Sequence, residues 1–207
     1  MRLPRLLVVT DRTQAAGPLP DVVAEAVAAG ARAVVLRDRD LPADERAALA
    51  AELRSVLDPV DGLLVTAGAG GDGAVHLAAA EPFPDPRPPL VGRSCHSAAE
   101  LARARVEGCD WAFLSPVFPT ASKPGYGPSL GVDGFAALRP LGPPAYALGG
   151  VGPDDVPALL AAGAAGVAVM GIEKIDFMWY LKKITAVAFL GYVAGALTYI
   201  GQEMLLK

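Results

Sequence analysis

The stretch "AYALGGVGPDDVPALLAAGAAGVAVMG", residues 145–171, contains the smallest repeating unit of the chain. Two short apolar runs, 145–149 and 166–170, flank an alanine-rich segment that suits a helix over about 153–162. Pro153 fits a first helical turn, where its missing N–H would have no intrahelical partner, and Gly163 fits a C-terminal cap. This order of strand, helix and strand predicts a βα repeat with parallel strands.

The same alternation extends back to residue 5. Strands are predicted at 6–10, 33–37, 63–66, 74–77, 90–94 and 111–115, and helices at about 19–29, 42–57, 97–107 and 131–139. With the last two runs this makes eight parallel strands, which predicts a (β/α)8 TIM barrel. Residues 67–73 and 78–89 are too rich in glycine or proline for full helices, so we expect the barrel to be trimmed there.

Composition favours an enzyme or binding protein for a small molecule. The formal net charge is -4 and the 18 basic residues are scattered, so the chain lacks the basic patch of a nucleic-acid binder. Cys95 and Cys109 have neither C-x-x-C nor His/Cys spacing, which predicts two small buried residues rather than a disulfide framework or a zinc site. The apolar run before Asp11 is too short for a signal peptide.

Candidate ligand-binding residues follow the predicted strands, because barrels bind ligands at the carboxyl ends of their strands. The hypothesis is a phosphate or pyrophosphate site formed by cationic side chains, hydroxyl groups and glycine amides. Its candidate members are Arg37, Arg39, Ser94, Thr120, Ser122, Lys123, Gly149, Gly150 and Gly171. The structural alternatives are a solvated cluster of salt bridges over 37–40 and an ordinary proline- and glycine-rich loop over 115–125.

Several spaced motifs resemble one family, the thiamine phosphate synthase superfamily, which includes the thiazole tautomerase TenI. They are "LVVTDR" (7–12), "VVLRDRD" (34–40), "GAVHL" (73–77), "VGRSCHS" (91–97), "LSPVFPTASKPG" (114–125), "YALGGV" (146–151) and "AGAAGVAVMG" (162–171). The resemblance covers about residues 5–171 and implies a TIM barrel. It also implies a thiamine biosynthesis enzyme whose ligand is a phosphorylated thiazole.

The sequence departs from the synthases of this family near their metal site. Synthases of the family join a hydroxymethylpyrimidine pyrophosphate to a thiazole phosphate, with Mg²⁺ held by two aspartates. Here Val35 replaces the pyrimidine-contacting glutamine, Arg39 replaces a lysine, and Ala67 replaces the first aspartate, while Glu81 or nothing aligns with the second. Ala67 offers no oxygen ligand in its side chain, so no metal ligands are predicted.

The first functional hypothesis is therefore a tautomerase-like proton transfer that needs no cofactor. "GRSCHS" resembles the tautomerase form of the loop after strand five, which implies that His96 is the catalytic acid/base. The alternative for His96 is a helix-capping or loop-packing role, and a structural role is favoured for His76. The alternative function is a synthase with Glu81 or Asp11 near Mg²⁺, and the second alternative is an inactive, membrane-anchored binding module.

Residues 172–207 form a separate predicted segment that does not resemble the barrel family. The run 184–200 is uncharged and apolar around the whole helix, which predicts a short membrane span that resembles the last helix of a sodium/proton antiporter. Lys182 and Lys183 would keep the barrel in the cytoplasm, anchored to the inner membrane. The alternatives are that this helix replaces the missing last barrel helix, or that the chain is a fusion. The sequence leaves open whether the chain forms a homo-oligomer.

Overall fold

Eight parallel strands close into a barrel in the computed structural model, which describes residues 3–68, 73–119 and 128–170. The strands pair in chain order, and the first pairs with the last. They are β1 (Leu6–Val9), β2 (Ala33–Leu36), β3 (Leu63–Ala67), β4 (Ala74–Leu77), β5 (Val91–Cys95), β6 (Trp111–Leu114), β7 (Ala145–Ala147) and β8 (Gly166–Met170). All eight predicted strands are present, so the predicted barrel is confirmed.

Within the described ranges, five α-helices lie between the strands, close to the predicted positions. They are α1 (Leu19–Ala28), α2 (Ala43–Leu57), α3 (Ala98–Val106), α4 (Gly131–Leu138) and α5 (Val156–Ala161). The last of these was predicted from residue 153, where a 3-10 turn, Pro153–Asp155, comes first. Residues 78–90 form turns and bends without a helix, as their proline content predicted.

Side-chain alternation along the strands divides the core into two layers. One layer fills the barrel interior and includes Leu7, Val9, Trp111, Phe113 and Tyr146. The other lies between the strands and the surrounding helices. The residues of β1 show the division, because Leu7 and Val9 face inward while Leu6 and Val8 belong to the outer layer.

Both cysteines are buried in the outer layer as free thiols, as predicted. Burial, together with the nearby charge of Glu100, raises the pKa of Cys95 to about 12. The thiol is therefore neutral at physiological pH, and it acts as a small packing residue.

Some predicted features lie outside the described residues. These are the site candidates Thr120, Ser122, Lys123 and Gly171, and the whole segment 172–207 with its membrane span at 184–200. Within the described ranges, no helix is both long and apolar enough to cross a membrane. The identity of the last helix and the membrane anchor therefore stay predictions.

Gly92 provides a test of how tightly the barrel interior is packed. It lies directly opposite Trp111 in the β5–β6 ladder, and a Cβ at position 92 would lie 2.1 Å from the indole ring. We expect Gly92→Ala to lower the free energy of unfolding by about 1–3 kcal/mol, because the indole must shift within a filled core. Urea denaturation measures this change.

Gly17→Ala is the matched control, because a Cβ at residue 17 meets no atom within 4 Å. We expect the stability of this variant to stay within about 0.5 kcal/mol of the wild type. Equal effects of the two substitutions would contradict the packing explanation.

Candidate active site

A cavity of about 290 Å³ opens at the carboxyl ends of the strands. Four of the predicted site residues line it together: Arg37, Arg39, Ser94 and His96. The other lining residues are Val9, Val35, Ala67, His76, Ala78, Ala79, Phe113, Ser115, Leu148 and Met170. The cavity therefore combines an apolar and aromatic wall with two arginines and two histidines, a composition suited to an organic ring that carries an anionic group.

The loop after β2 is fixed by a buried carboxylate. Asp38 is 5% exposed and accepts hydrogen bonds from the Thr10 hydroxyl at 2.5 Å and the Arg12 amide at 2.7 Å. The Thr10 oxygen in turn accepts a hydrogen bond from the Arg37 amide at 3.0 Å. The solvated cluster of salt bridges considered for residues 37–40 is therefore present except at buried Asp38, because Arg37, Arg39 and Asp40 each take part in an ion pair whose arginine is partly exposed.

Arg37 reaches from this loop toward Asp11 at the end of β1, with 3.5 Å between Nη1 and Oδ2. Burial alone would raise the pKa of Asp11. Hydrogen bonds from Thr13 and Gln14 and the charge of Arg37 outweigh that effect and lower the pKa. Asp11 is therefore a carboxylate that orients Arg37.

Arg39 forms an ion pair with Glu81, with 2.9 Å between Nη2 and Oε2. The Glu81 carboxylate also accepts a hydrogen bond from the Ala78 amide at 2.9 Å. A Cβ built on Gly68 would lie 3.5 Å from Glu81 Oε1 and 4.0 Å from Arg39 Nη2. The ion pair therefore connects the loops after β2 and β4 above the end of β3.

Arg93, which was not among the residues selected from the sequence, holds the loop that carries Glu81. Its side chain is fully buried, and Nη1 donates to the carbonyl oxygens of Ala78, Ala79 and Glu81 at 3.0, 3.1 and 2.6 Å. Nη2 lies 2.7 Å from the carboxylate of Glu107. A buried charge is tolerated only with such partners, so Arg93 fixes the position of this loop.

Arg103 reinforces the same loop from α3. It donates to the carbonyl oxygens of Ala79 and Glu81, both at 3.2 Å, and its Nε lies 2.8 Å from Glu107 Oε1. Glu107 therefore bridges two arginines that bind the loop after β4. In the sequence, the only sign of this network was Arg93 itself, a charged residue in the middle of the apolar β5 segment.

His76 lies in the cavity wall and is 5% exposed. Its Nε2 is 3.0 Å from the hydroxyl of Ser94, and its ring centroid is 4.1 Å from that of Phe113. Burial, with the nearby charges of Arg39 and Arg93, lowers the pKa of His76 to about 3. The imidazole is therefore neutral at physiological pH, in agreement with a structural role.

His96 connects the loops after β5 and β6. Its Nδ1 lies 2.8 Å from the carbonyl oxygen of Ser115, so in the neutral ring Nδ1 carries the proton and Nε2 is the basic nitrogen. The backbone amide of His96 donates to Glu100, whose own amide is capped by Ser97 at the start of α3. Both sequence hypotheses for His96 thus have a structural basis, since it packs between loops and also lines the cavity.

Gly149 and Gly150 follow β7 and pack against the loop after β6. Both have positive φ, at 91° and 65°, and a Cβ at position 150 would lie 2.4 Å from the carbonyl oxygen of Pro119. These positions therefore require glycine. They are not among the described residues that line the cavity, and their role as phosphate donors stays a prediction.

Comparison with known proteins identifies the family. The thiamine monophosphate synthase family model matches residues 6–172. A putative thiamine-phosphate synthase from Geobacter sulfurreducens is 40% identical over 188 residues, covering 83% of this chain and 87% of the relative. The thiamine-phosphate synthase of Methanoculleus marisnigri is 38% identical over 180 residues, covering 80% and 85%. The chain belongs to the thiamine monophosphate synthase family.

A solved structure agrees with this membership. The thiamine phosphate pyrophosphorylase from Pyrococcus furiosus superposes with a TM-score of 0.73 at 25% identity, covering 88% of this chain and 94% of that structure. The family contains thiamine biosynthesis enzymes, so the expected enzyme class is confirmed at that level. The names of these relatives favour the synthase alternative over the tautomerase, which was the first hypothesis from the sequence.

The positions at which the sequence departs from the synthase pattern lie inside the cavity. Val35 and Ala67 both line it, and the Ala67 carbonyl accepts a hydrogen bond from Arg46. Among the described residues, no group of three or more His, Cys, Asp or Glu side chains is placed to hold a metal ion. The carboxylate of Glu81, in the loop after β4, forms an ion pair with Arg39.

The low pKa of His76 predicts a pH-dependent stability. An unfolded histidine gains a proton below about pH 6.5, whereas buried His76 stays neutral down to about pH 3. Lowering the pH from 7 to 5 therefore stabilises the unfolded state relative to the folded state. We expect His76 alone to lower the free energy of unfolding by about 2 kcal/mol between pH 7 and pH 5.

His76→Gln removes the titration and keeps a polar group for Ser94. Urea denaturation of both proteins at the two pH values isolates the His76 contribution, because all other titrating groups are shared. A wild-type protein that loses no more stability than His76→Gln on acidification would show that His76 accepts a proton in the folded state.

Proposed function

We propose that the chain is a thiamine phosphate synthase, which joins a hydroxymethylpyrimidine pyrophosphate to a thiazole phosphate. The names of the relatives support this transferase function over the tautomerase. The structural observation that carries it is the pair Arg37 and Arg39, which line one cavity together with the aromatic and apolar side chains of Phe113, Val35 and Leu148. A pyrimidine or thiazole ring suits the apolar wall, and the phosphate groups suit the arginines.

The proposed reaction needs charge stabilisation more than a protein nucleophile. The C–O bond between the pyrimidine methylene carbon and the pyrophosphate breaks, and both electrons leave with the pyrophosphate. The lone pair of the thiazole nitrogen forms the new C–N bond, so no oxidant or reductant is required. Arginine side chains suit this step because they donate fixed hydrogen bonds to the oxygens on which negative charge develops.

The direct test supplies purified protein with both synthase substrates and follows thiamine phosphate by chromatography. We expect product formation, and we expect Arg37→Gln to lower kcat/KM about tenfold to a hundredfold. That range corresponds to the loss of a charge-assisted hydrogen bond of about 1.5–3 kcal/mol.

The matched control is Arg87→Gln. Arg87 forms an ion pair with Asp110 at 2.9 Å, with an exposure like that of Arg39, but it precedes β5 at the opposite end of the barrel. We expect this variant to keep wild-type kcat/KM. Absence of product from the substrate pair would refute the synthase proposal.

A second candidate function, thiazole tautomerisation, is favoured by the position of His96. The Ser115 carbonyl assigns the proton to Nδ1, which leaves Nε2 as the basic nitrogen of a ring that lines the cavity. Such a group could accept a proton from a thiazole carboxylate phosphate and return it at another atom, which aromatises the ring without a cofactor. The pyrimidine substrate would then be unnecessary.

This candidate predicts that the protein isomerises a thiazole carboxylate phosphate supplied alone. His96→Gln should then reduce the rate about a hundredfold or more, the usual contribution of a positioned acid/base group. Deuterium incorporation from D2O, followed by NMR, measures the proton transfer. A wild-type protein that shows no exchange, or a variant that exchanges at the wild-type rate, excludes His96 as this acid/base.

A further inference from the structure

The ion pair between Arg39 and Glu81 lies at the point where the synthase pattern places metal ligands. The resemblance implies that these ligands come from the end of β3 and the loop after β4, where this chain has Ala67 and either Glu81 or no equivalent residue. Gly68, which follows Ala67, lies against both members of the pair, since a Cβ at this position would be within 4.0 Å of each. The guanidinium of Arg39 therefore lies between the two loops.

The described residues at this point do not fit Mg²⁺. A hard dication binds several oxygen ligands, usually carboxylates, carbonyls and water. Ala67 has no side-chain oxygen, and its carbonyl accepts a hydrogen bond from Arg46. The Glu81 carboxylate is already bound by the Arg39 guanidinium and the Ala78 amide. A dication bound to Glu81 would also lie beside a positive charge.

We propose that Arg39, oriented by Glu81 above Gly68, supplies the positive charge that a dication would supply to a phosphate or pyrophosphate group, so that anion binding in this cavity is independent of Mg²⁺. This inference deepens the proposed synthase function and concerns the same site. It states that the phosphate or pyrophosphate group of the substrate binds to Arg39, a permanently charged side chain of the protein.

The geometry of Arg39 suits this role. Both of its hydrogen bonds with described residues use Nη2, which lies 2.9 Å from Glu81 and 3.5 Å from the His76 carbonyl. Within the described part of the chain, Nη1 and Nε therefore make no hydrogen bond. A guanidinium has five N–H donors and binds phosphate oxygens in pairs, so one edge can bind Glu81 while another binds an anion.

Other charges around the cavity increase its positive potential. Arg46 lies behind the ends of β2 and β3, where it donates to the carbonyl oxygens of Leu36 and Ala67. Burial and the charge of Arg39 both lower the pKa of Arg46. Arg39 also acts with Arg93 on His76, which remains neutral. Arg39 lines the cavity, whereas Arg46 and Arg93 lie outside its lining and add their charge from behind it, which favours a bound anion.

The position of Glu81 explains how Arg39 is held without being neutralised. Arg93 and Arg103 bind the backbone carbonyl of Glu81, so the carboxylate is fixed by its own loop. The Arg39 side chain is 43% exposed, and an ion pair with that exposure contributes little in water. An incoming phosphate can therefore share the guanidinium without displacing a strong interaction.

Isothermal titration calorimetry of the full chain with inorganic pyrophosphate tests the proposal. We expect the Kd in EDTA to lie within about threefold of the Kd in excess Mg²⁺. Arg39→Gln should weaken binding in EDTA by about tenfold or more, because it removes a charged donor. Thermal unfolding without ligand establishes that the variant is folded.

Two further variants sharpen the interpretation. Arg87→Gln, which removes an arginine from a similar ion pair at the other end of the barrel, should leave the Kd unchanged. Glu81→Gln should bind pyrophosphate in EDTA at least as tightly as the wild type, since the amide still accepts from Arg39 without competing as an anion.

The proposal is overturned if pyrophosphate binds only with Mg²⁺, if it fails to bind in both buffers, or if Arg39→Gln leaves the Kd within about twofold. Loss of binding in Glu81→Gln also overturns it. Thiamine phosphate formation is measured separately, so that failure of the anion-site proposal can be told apart from failure of the synthase proposal. Binding in EDTA that depends on Arg39, without product, refutes the synthase and retains the anion site.

Discussion

The pairing of β1 with β8 is the constraint on which the rest of the structure depends. Four residue pairs join Leu6–Val9 to Val167–Met170 in parallel, and they convert a row of strands into a closed barrel. Closure brings the carboxyl ends of all eight strands to one rim, so residues as distant in sequence as Val9 and Met170 line the same cavity. The apolar interior fixes this arrangement, because a shift by one residue would place the inward side chains on the outside.

A buried charge provides the second level of organisation. Arg93 points from β5 into the layer beneath α3, where it is neutralised by Glu107 and holds three backbone carbonyls of the loop after β4. This loop replaces a barrel helix, so it has no helical hydrogen bonds of its own to stabilise it. Arg93, a side chain outside the cavity, therefore sets the position of Glu81. Glu81 in turn orients Arg39.

The sequence was sufficient to predict the barrel, because apolar runs, prolines and glycines mark the strand and helix boundaries locally. It also predicted that Arg37, Arg39, Ser94 and His96 would meet, since the carboxyl ends of parallel strands share one rim. The Arg93 network was not predictable, because its partners come from a loop and a helix whose packing has no local signal. The preference for a tautomerase came from the missing metal ligand at Ala67 and from the likeness of the His96 loop to the tautomerase form, whereas the names of the relatives favour the synthase.

An arginine and a metal ion stabilise an anion in different ways, and the difference affects the rest of the site. A dication concentrates its charge and must be captured from solution, while a guanidinium is always present, stays charged at physiological pH and spreads its charge over several donors. A single arginine therefore stabilises a departing pyrophosphate less strongly than Mg²⁺ does, and additional donors must contribute. Arg37 lies on the same loop as Arg39, and Val35 and Phe113 form an apolar wall beside both. Such a wall excludes water and strengthens each of these charge interactions. Two fixed arginines in this setting can therefore stabilise the negative charge that develops on a departing pyrophosphate.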